Sequence, residues 1–369
     1  MSSFASSASA RERMAFRSLE RACYAGLDSA ALRATLVERL RSIVPSEVAA
    51  VGMLDPDTAL MTHAGSALEP PGYLARFLER AYLRGEAEYM TDQAQSGRVV
   101  FITPSDLMHE FLRAEGLGRE MRVIFSSGRD SWGVYCATRE STSRPFCDRE
   151  VQFLHGLAPH AAHALKMAAL VDMAASADAA ERDGVSASAS APGVVVIDRV
   201  GRILHRTAPA ARQLADLADI APAAPPLPAA VVSALARLRV LATRADAIER
   251  ERVRSESTLR ARGRSGQWYS LTAALSEPDA LGESASIVVI APVTRPDVAP
   301  MLARLYGLSQ REREVLTLVA RGNSTKGIAA QLRISPYTVQ DHLDHAFDKV
   351  GVRGRRALLA KLFLDGTSA

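Results

Sequence analysis

The side chains best suited to directed chemistry stand together in "ISPYTVQDHLDHAFDKVGVRGRR", residues 334–356. Gln340 can pair bidentately with adenine N6 and N7, and Asp341 and Asp344 can accept from cytosine N4; a good base contact discriminates by about 1–3 kcal/mol. Around them lie Lys326, Lys349, Arg353, Arg355 and Arg356, cations of the type that neutralise phosphates. The chemistry in view is polar contact with a polyanion. Asp344 and Asp348 run against it, because a carboxylate beside a phosphate opposes binding. They either restrain non-specific affinity or pair with His345 or Lys349 and keep the segment soluble.

These side chains need helices to aim them. "LSQREREVLTLVARG" offers Ser309 as N-cap, Glu312 as its capping-box partner, an apolar side of Val315, Leu316, Leu318 and Val319, and Gly322 as terminator. "STKGIAAQL" predicts a short helix capped by Ser324, and "RIS" a turn. The third helix starts with Ser335 as N-cap and Pro336 at its first position, where a missing N–H costs nothing. At 100° per residue, Val339, Leu343, Ala346, Phe347 and Val350 share one side. Tyr337, Asp341, Asp344 and Asp348 fall opposite, flanked by Gln340 and His345. A short helix, a tight turn and a capped longer helix form the outline of a helix-turn-helix, whose second member lies in the major groove.

On "REREVL", "ISPYTV", "HL" and "KVGV", residues 307–363 resemble the C-terminal DNA-binding domain of LuxR/FixJ-type transcriptional regulators. The resemblance implies an all-α four-helix domain over 301–369, dimeric binding to two half-sites of double-stranded DNA, and a last helix, "RRALLAKLFL", that supports dimerisation. It assigns phosphate or groove contacts to Lys326, Thr338 and Lys349, and base-edge contacts to Gln340, Asp341 and Asp344, with Ser335, Arg353, Arg355 and Arg356 completing the DNA-binding set. Thr325 stands where the family usually has Asn, Gly327 where it has an acid, and Gln340 where it has Lys or Arg.

The preceding chain reads as sensor-like. Residues 1–19 carry no core pattern and are expected to be disordered. "DSAALRATLVERLRSI" places Leu32, Leu36, Leu40 and Ile43 at helical spacing behind Asp28 or Ser29 as cap. Strand-like "EVAAVGML", "RVVFIT", "REMRVIFSS" and "SWGVYCATR" follow, then a long helix from Asp148 to Ala175. This α+β order over 20–171 resembles a GAF domain. Ala- and Ser-rich residues 172–192 read as a linker. "GVVVIDRVGRILHRTAPAARQLADL" resembles the opening hairpin and helix of a PAS domain, and the α+β PAS-like unit is expected over 193–294. Its middle is atypical: a Pro-rich break, a charged helix, then "STLRARGRSGQWYSLTAAL" and "SASIVVIAPV". The charged run 237–264 has the look of a solvated helix and turn.

Several other chemistries fail on spacing. His155, His160 and His163 share a helix without a carboxylate or Cys at ligand distance in sequence, so ordinary helix histidines outweigh a metal site. Cys23, Cys136 and Cys147 form no C-x-x-C pair; Cys147, beside Arg144 and Arg149, is the one candidate redox thiolate. Asp198 ends a strand as a phosphoacceptor would, but the acidic pair and strand-end lysine of that signature are missing, and a turn aspartate accounts for it. "GNSTKG" lacks the P-loop order. No nucleophile, base and orienter set stands out, so no catalytic residue, cofactor or metal is expected.

Charge divides unevenly in a chain of 369 residues with net charge +4: residues 301–369 hold eleven Lys/Arg against six Asp/Glu, leaving the first 300 near −1. A basic module on a near-neutral body fits a polyanionic partner for that module. No apolar run of membrane-spanning length and no signal-peptide core occurs, and the odd cysteines specify no disulfide framework, so a cytoplasmic protein without membrane contact is expected. The reading is a multidomain, dimeric transcription regulator, not an enzyme, in which the GAF-like and PAS-like regions sense a ligand or partner, a small molecule in the GAF-like domain being one candidate, and control the helix-turn-helix. The long helix pairs between protomers in this reading, and RNA polymerase is a further candidate partner. A sigma-factor-like protein and a signalling enzyme with a DNA-binding tail are the alternatives.

Overall fold

The computed structural model describes residues 9–67, 73–83, 100–102, 106–128, 130–183, 191–218, 227–244, 258–278, 284–293 and 295–363. Two compact units emerge, the first made of Met1–Ser176 and Val185–Pro292 and the second of Ala177–Gly184 and Val293–Ala369.

The first unit opens with α1 (Ala10–Cys23) and α2 (Ser29–Arg41). Residues 10–19 therefore correct the expectation of disorder. Ser9 and Glu12 close a reciprocal capping box, and Leu19, Ala22 and Cys23 are buried. Asp28 caps α2 through the backbone N–H of Ala31, and Leu32, Leu36 and Leu40 turn inward as their spacing predicts.

The first sheet consists of β1 (Val48–Leu54), β2 (Met61–Ala67), β3 (Val100–Ile102), β4 (Leu117–Ser127) and β5 (Asp130–Glu140), in the antiparallel order β2-β1-β5-β4-β3. Helices α3 (Tyr73–Leu83) and α4 (Asp106–Ala114) interrupt it. Strand β1 is buried along its whole length, inside the sheet between β2 and β5 and against α2. Gly133 is obligatory at the packing of the exit helix: a Cβ there would lie 2.5 Å from Leu165 Cδ1 and 2.7 Å from the Gly52 carbonyl oxygen. That exit helix, α5, runs Asp148–Asp183, so residues 172–183 extend the helix where a linker was expected. Alanine's high helix propensity explains the continuation.

A second sheet follows, built from β6 (Gly193–Ile197), β7 (Ile203–Arg206), β8 (Thr258–Arg262), β9 (Trp268–Leu275) and β10 (Ser286–Pro292), with α6 (Ala208–Leu217) and α7 (Ala229–Arg244). Its order, β7-β6-β10-β9-β8, repeats that of the first sheet strand for strand. The charged-helix expectation fails at α7, where Ser233 and Arg237 are buried among Val231, Leu235 and Leu238.

The two sheets do not form separate domains as the sequence suggested. One apolar cluster runs from Tyr73, Leu74 and Leu78 of α3 through Ala230, Ala234 and Leu238 of α7 to Leu271 and Val288. Polar groups stitch the same seam. Arg239 pairs with Glu79, Arg260 with Asp57 at 2.8 Å, and His63 Nε2 meets the Arg262 carbonyl at 2.9 Å. Arg262 also grips Asp172 of α5, through its carboxylate at 3.6 Å and through its backbone carbonyl.

Asp55 anchors the seam. It is 1% exposed, and its two oxygens accept the backbone N–H groups of Asp57 and Arg260, each at 2.9 Å. The second bond satisfies an amide of β8, a strand that pairs with β9 alone among the described residues. Burial, then the neighbouring Asp57, pushes the Asp55 carboxyl above the ordinary range. Asp55→Ala leaves two part-buried donors without their acceptor, at about 1–2 kcal/mol each, so a loss of roughly 2–4 kcal/mol is expected. Urea unfolding reads it, and an unchanged midpoint refutes it.

The second unit is all-α: α8 (Arg295–Leu305), α9 (Gln310–Ala320), α10 (Thr325–Leu332), α11 (Pro336–Val350) and α12 (Arg355–Phe363). Helix α8 is an addition to the expected four, and the unit starts before residue 301. It packs on α12, and Leu302, Leu358 and Leu362 are buried within the unit.

Candidate nucleic-acid interface

Helix α11 forms as its sequence dictates. Ser335 adopts the extended N-cap conformation and accepts the backbone N–H of Thr338 at 3.0 Å, Pro336 takes the first turn, and Gly351 ends the helix at φ +70°. Val339, Leu343, Ala346 and Val350 are buried, with Val339 and Leu343 set against Val315, Val319, Ile328 and Ala329 of α9 and α10. Burying this stripe fixes the rotation of the helix, and the opposite face is thereby left open.

On the open face, Gln340, Asp341, Asp344, His345 and Asp348 are exposed, and Tyr337 is 83% exposed. Gln340 Nε2 donates to Asp344 Oδ1 at 2.9 Å, and His345 Nδ1 lies 3.9 Å from Asp341 Oδ2. Asp344 thus pairs with Gln340 and not with His345 or Lys349. The i,i+4 bond orients the Gln340 amide, leaving its carbonyl and remaining N–H outward. Ser335 and Thr338 hydroxyls bond each other at 2.9 Å, so both serve the cap first.

The expected cations separate into two groups. Lys326, Arg353 and Arg356 are exposed and have no intramolecular partner among the described residues. Lys349 instead reaches both oxygens of Glu312, at 2.8 and 2.7 Å, and Arg355 donates to the Asn323 carbonyl at 2.7 Å. Glu312 is nearly buried and also accepts the Ser309 N–H. Its burial raises the carboxyl, but Lys349 and Ser309 outweigh that and hold it below its ordinary value. Lys349 is therefore a brace between α9 and α11.

Arg321, Arg333 and Tyr337 stand outside the expected contact set, yet all three are exposed. Counting basic residues found both arginines, but periodicity within helices could not place them, because each sits at a helix end. Elsewhere, His160 Nδ1 meets the Tyr24 hydroxyl at 3.0 Å, and Asp198 accepts the N–H groups of Val200 and Arg202 as a turn aspartate does. Cys147 is exposed, its N–H bonded to Glu150, while burial pushes the Cys23 thiol up to about 12. No helix among the described residues is long and apolar enough to cross a membrane.

Residues 307–362, the α9–α12 segment just described, match the family model of bacterial regulatory proteins, luxR family. Over 59 residues the chain is 42% identical to the spore germination protein GerE of Bacillus subtilis, covering 16% of this chain and 80% of that protein. The chain belongs to the luxR family. It is also 36% identical over 90 residues to the probable HTH-type transcriptional regulator GfsR of Streptomyces halstedii, 24% of this chain and 32% of that one. The likeness to GfsR thus spans about a third of that relative's length. A phycoerythrobilin-bound GAF domain from a cyanobacterial phytochrome aligns over 44% of this chain and 98% of its own length, at 12% identity and a TM-score of 0.33. The luxR-type segment accordingly coincides with the helices that carry the open polar face.

Proposed function

We propose that this chain is a DNA-binding transcription regulator in which α11 enters the major groove of double-stranded DNA. The observation that carries the reading is the rotation of α11: its apolar stripe is buried and its capped, polar face is open. Gln340 and Asp341 read base edges, Lys326, Arg353 and Arg356 hold phosphates, and Asp344 restrains non-specific affinity while aligning Gln340. Mapping of bound genomic fragments, followed by motif extraction, tests it; enrichment of no common sequence overturns it. Asp344→Lys is expected to raise affinity for random-sequence duplex and steepen the log affinity against log salt slope by about one to two charges. Unchanged affinity and slope in a salt-titrated gel shift would discard the restraining role.

The first unit acts as the sensor, its two halves GAF-like and PAS-like. The repeated strand order supports that pairing. On α3 and α4, Tyr73, Phe77 and Phe111 form an aromatic cluster, Arg122 lies over Phe77, and the buried Arg122–Glu120 pair at 2.9 Å adds charge. Aromatic rings beside a buried ion pair suit contact with a small planar, polar ligand. Two copies pair along α1 and α5, whose exposed Met14, Met167 and Val171 favour apolar contact. Light scattering that finds only monomer, free and on DNA, refutes the pairing.

A further inference from the structure

Helix α10 closes on Arg333, which adopts φ +53° and ψ 46°, and its N–H bonds the Ala329 and Ala330 carbonyls. That left-handed conformation crowds a Cβ, so glycine normally takes it. The chain follows this rule nine times among the described residues, with glycine at 26, 116, 128, 201, 266, 307, 322, 351 and 354. Ala59 and Arg333 are the described exceptions, and Ala59 is buried at 1% exposure. Arg333 stands in the open.

The backbone bends there to close α10, with the Ile334 N–H on the Ala329 carbonyl at 3.0 Å and Ile334 packed on the core, but the Arg333 side chain takes no part in that closure. The Arg333 side chain is exposed and has no intramolecular partner among the described residues. Several other cations of the unit are occupied: Arg311 bonds Glu314 and the Leu332 carbonyl, Arg313 the Leu308 carbonyl, Lys349 Glu312, and Arg355 the Asn323 carbonyl. The side chain starts two residues before the Ser335 cap of α11. A recognition helix presents its N-terminal residues to base edges while the preceding helix crosses the phosphate backbone, and Arg333 stands in the turn between the two. A guanidinium there can take a phosphate bidentately, which the compact lysine head cannot.

We propose that Arg333 is a DNA-phosphate contact of the helix-turn-helix turn, retained at a position whose backbone favours glycine. The inference rests on the DNA-binding reading above. It also accounts for an open face rich in carboxylates: the turn supplies positive charge that Lys349 and Arg355, committed elsewhere, do not.

The test uses the full chain and a random-sequence duplex of about 30 base pairs, titrated between about 50 and 200 mM salt, with thermal unfolding alongside. Arg333→Gly is expected to raise the melting temperature of the α-helical unit by about 4 °C or more. The same variant binds roughly threefold to tenfold more weakly, and its salt slope falls by about 0.9, one phosphate's worth. Arg333→Lys keeps most of the slope and gains no thermal stability. A purely structural arginine gives the reverse for Arg333→Gly, lower stability and an unchanged slope, and that result overturns the proposal. If the unsubstituted chain binds no duplex at any salt, the DNA-binding reading falls and this inference with it. Normal binding by the unsubstituted chain with an unchanged Arg333→Gly slope removes the inference alone.

Discussion

Arg139→Ala is expected to cost the first unit about 3–5 kcal/mol, the loss typical of breaking a buried, multiply bonded ion pair. The side chain is 3% exposed and pairs with Glu150 at 2.7 Å, itself 5% exposed. Its other N–H groups reach the carbonyls of Pro45, Arg144 and Pro145, and its plane lies 4.1 Å from the centre of the Phe146 ring. One guanidinium thereby joins the end of β5, the approach to β1 and the start of α5. Truncation leaves three carbonyls and a carboxylate without it, although Arg144 and the Cys147 N–H still hold Glu150. Arg139→Lys recovers part of the loss, since one ammonium cannot span four acceptors. The measurement is the urea midpoint of the full chain, and a fall below about 1 kcal/mol would show that the anchor is dispensable.

Glu150 adds a pH signature. Burial raises its carboxyl, but the hydrogen bond from Arg139 and that from Cys147 outweigh it, so its folded pKa lies below the ordinary value. A depressed acid contributes stability that is present above its unfolded pKa, near 4.3, and lost as pH falls through the folded one. The cost of Arg139→Ala therefore shrinks in acid.

What the sequence displays and what it conceals follow from interaction range. Capped helices are local events. Ser309 with Glu312, Ser324, Ser335 with Pro336, and Asp28 all cap where their neighbours in sequence say they should. The rotation of α11 follows as directly, because its apolar stripe has helical period. Strand β2, "MTHAGSA", offers no clean alternation and was not anticipated, since it earns its place from β1 and from packing by α7. The seam between the sheets is wholly non-local: Asp55 and the Arg260 N–H stand 205 residues apart. No composition shift or period reports such a contact. For the same reason the chain looked like two sensor domains joined by a break, while one apolar cluster crosses both. Within the interface, Lys349 and Lys326 were indistinguishable as sequence cations. Only the fold shows one held by a carboxylate 37 residues away and the other open.

That distinction sets the second large effect. Lys349→Ala removes the cation that sits on Glu312, whose side chain is 5% exposed, from a lysine that is 39% exposed. A fully buried pair would cost about 3–5 kcal/mol to break; solvent screening on the lysine side lowers the expected loss to about 1–2 kcal/mol. Glu312 keeps its bonds to Ser309, so the cap of α9 survives while α11 loosens from it. Binding weakens at warm temperature, where the unit is partly unfolded, and recovers on cooling. The salt slope of the folded protein stays constant, because no phosphate contact has been removed. The acid response supplies an independent check. Glu312 is held below its ordinary value, so the stabilisation it contributes persists above about pH 4.3 and fades as pH falls through the lower folded pKa. The unsubstituted protein therefore loses more stability between about pH 5 and 3 than Lys349→Ala does, and the two converge in acid. A salt slope lower by about one in Lys349→Ala, with thermal stability unchanged, would return Lys349 to the phosphate-contacting set and end its role as a brace.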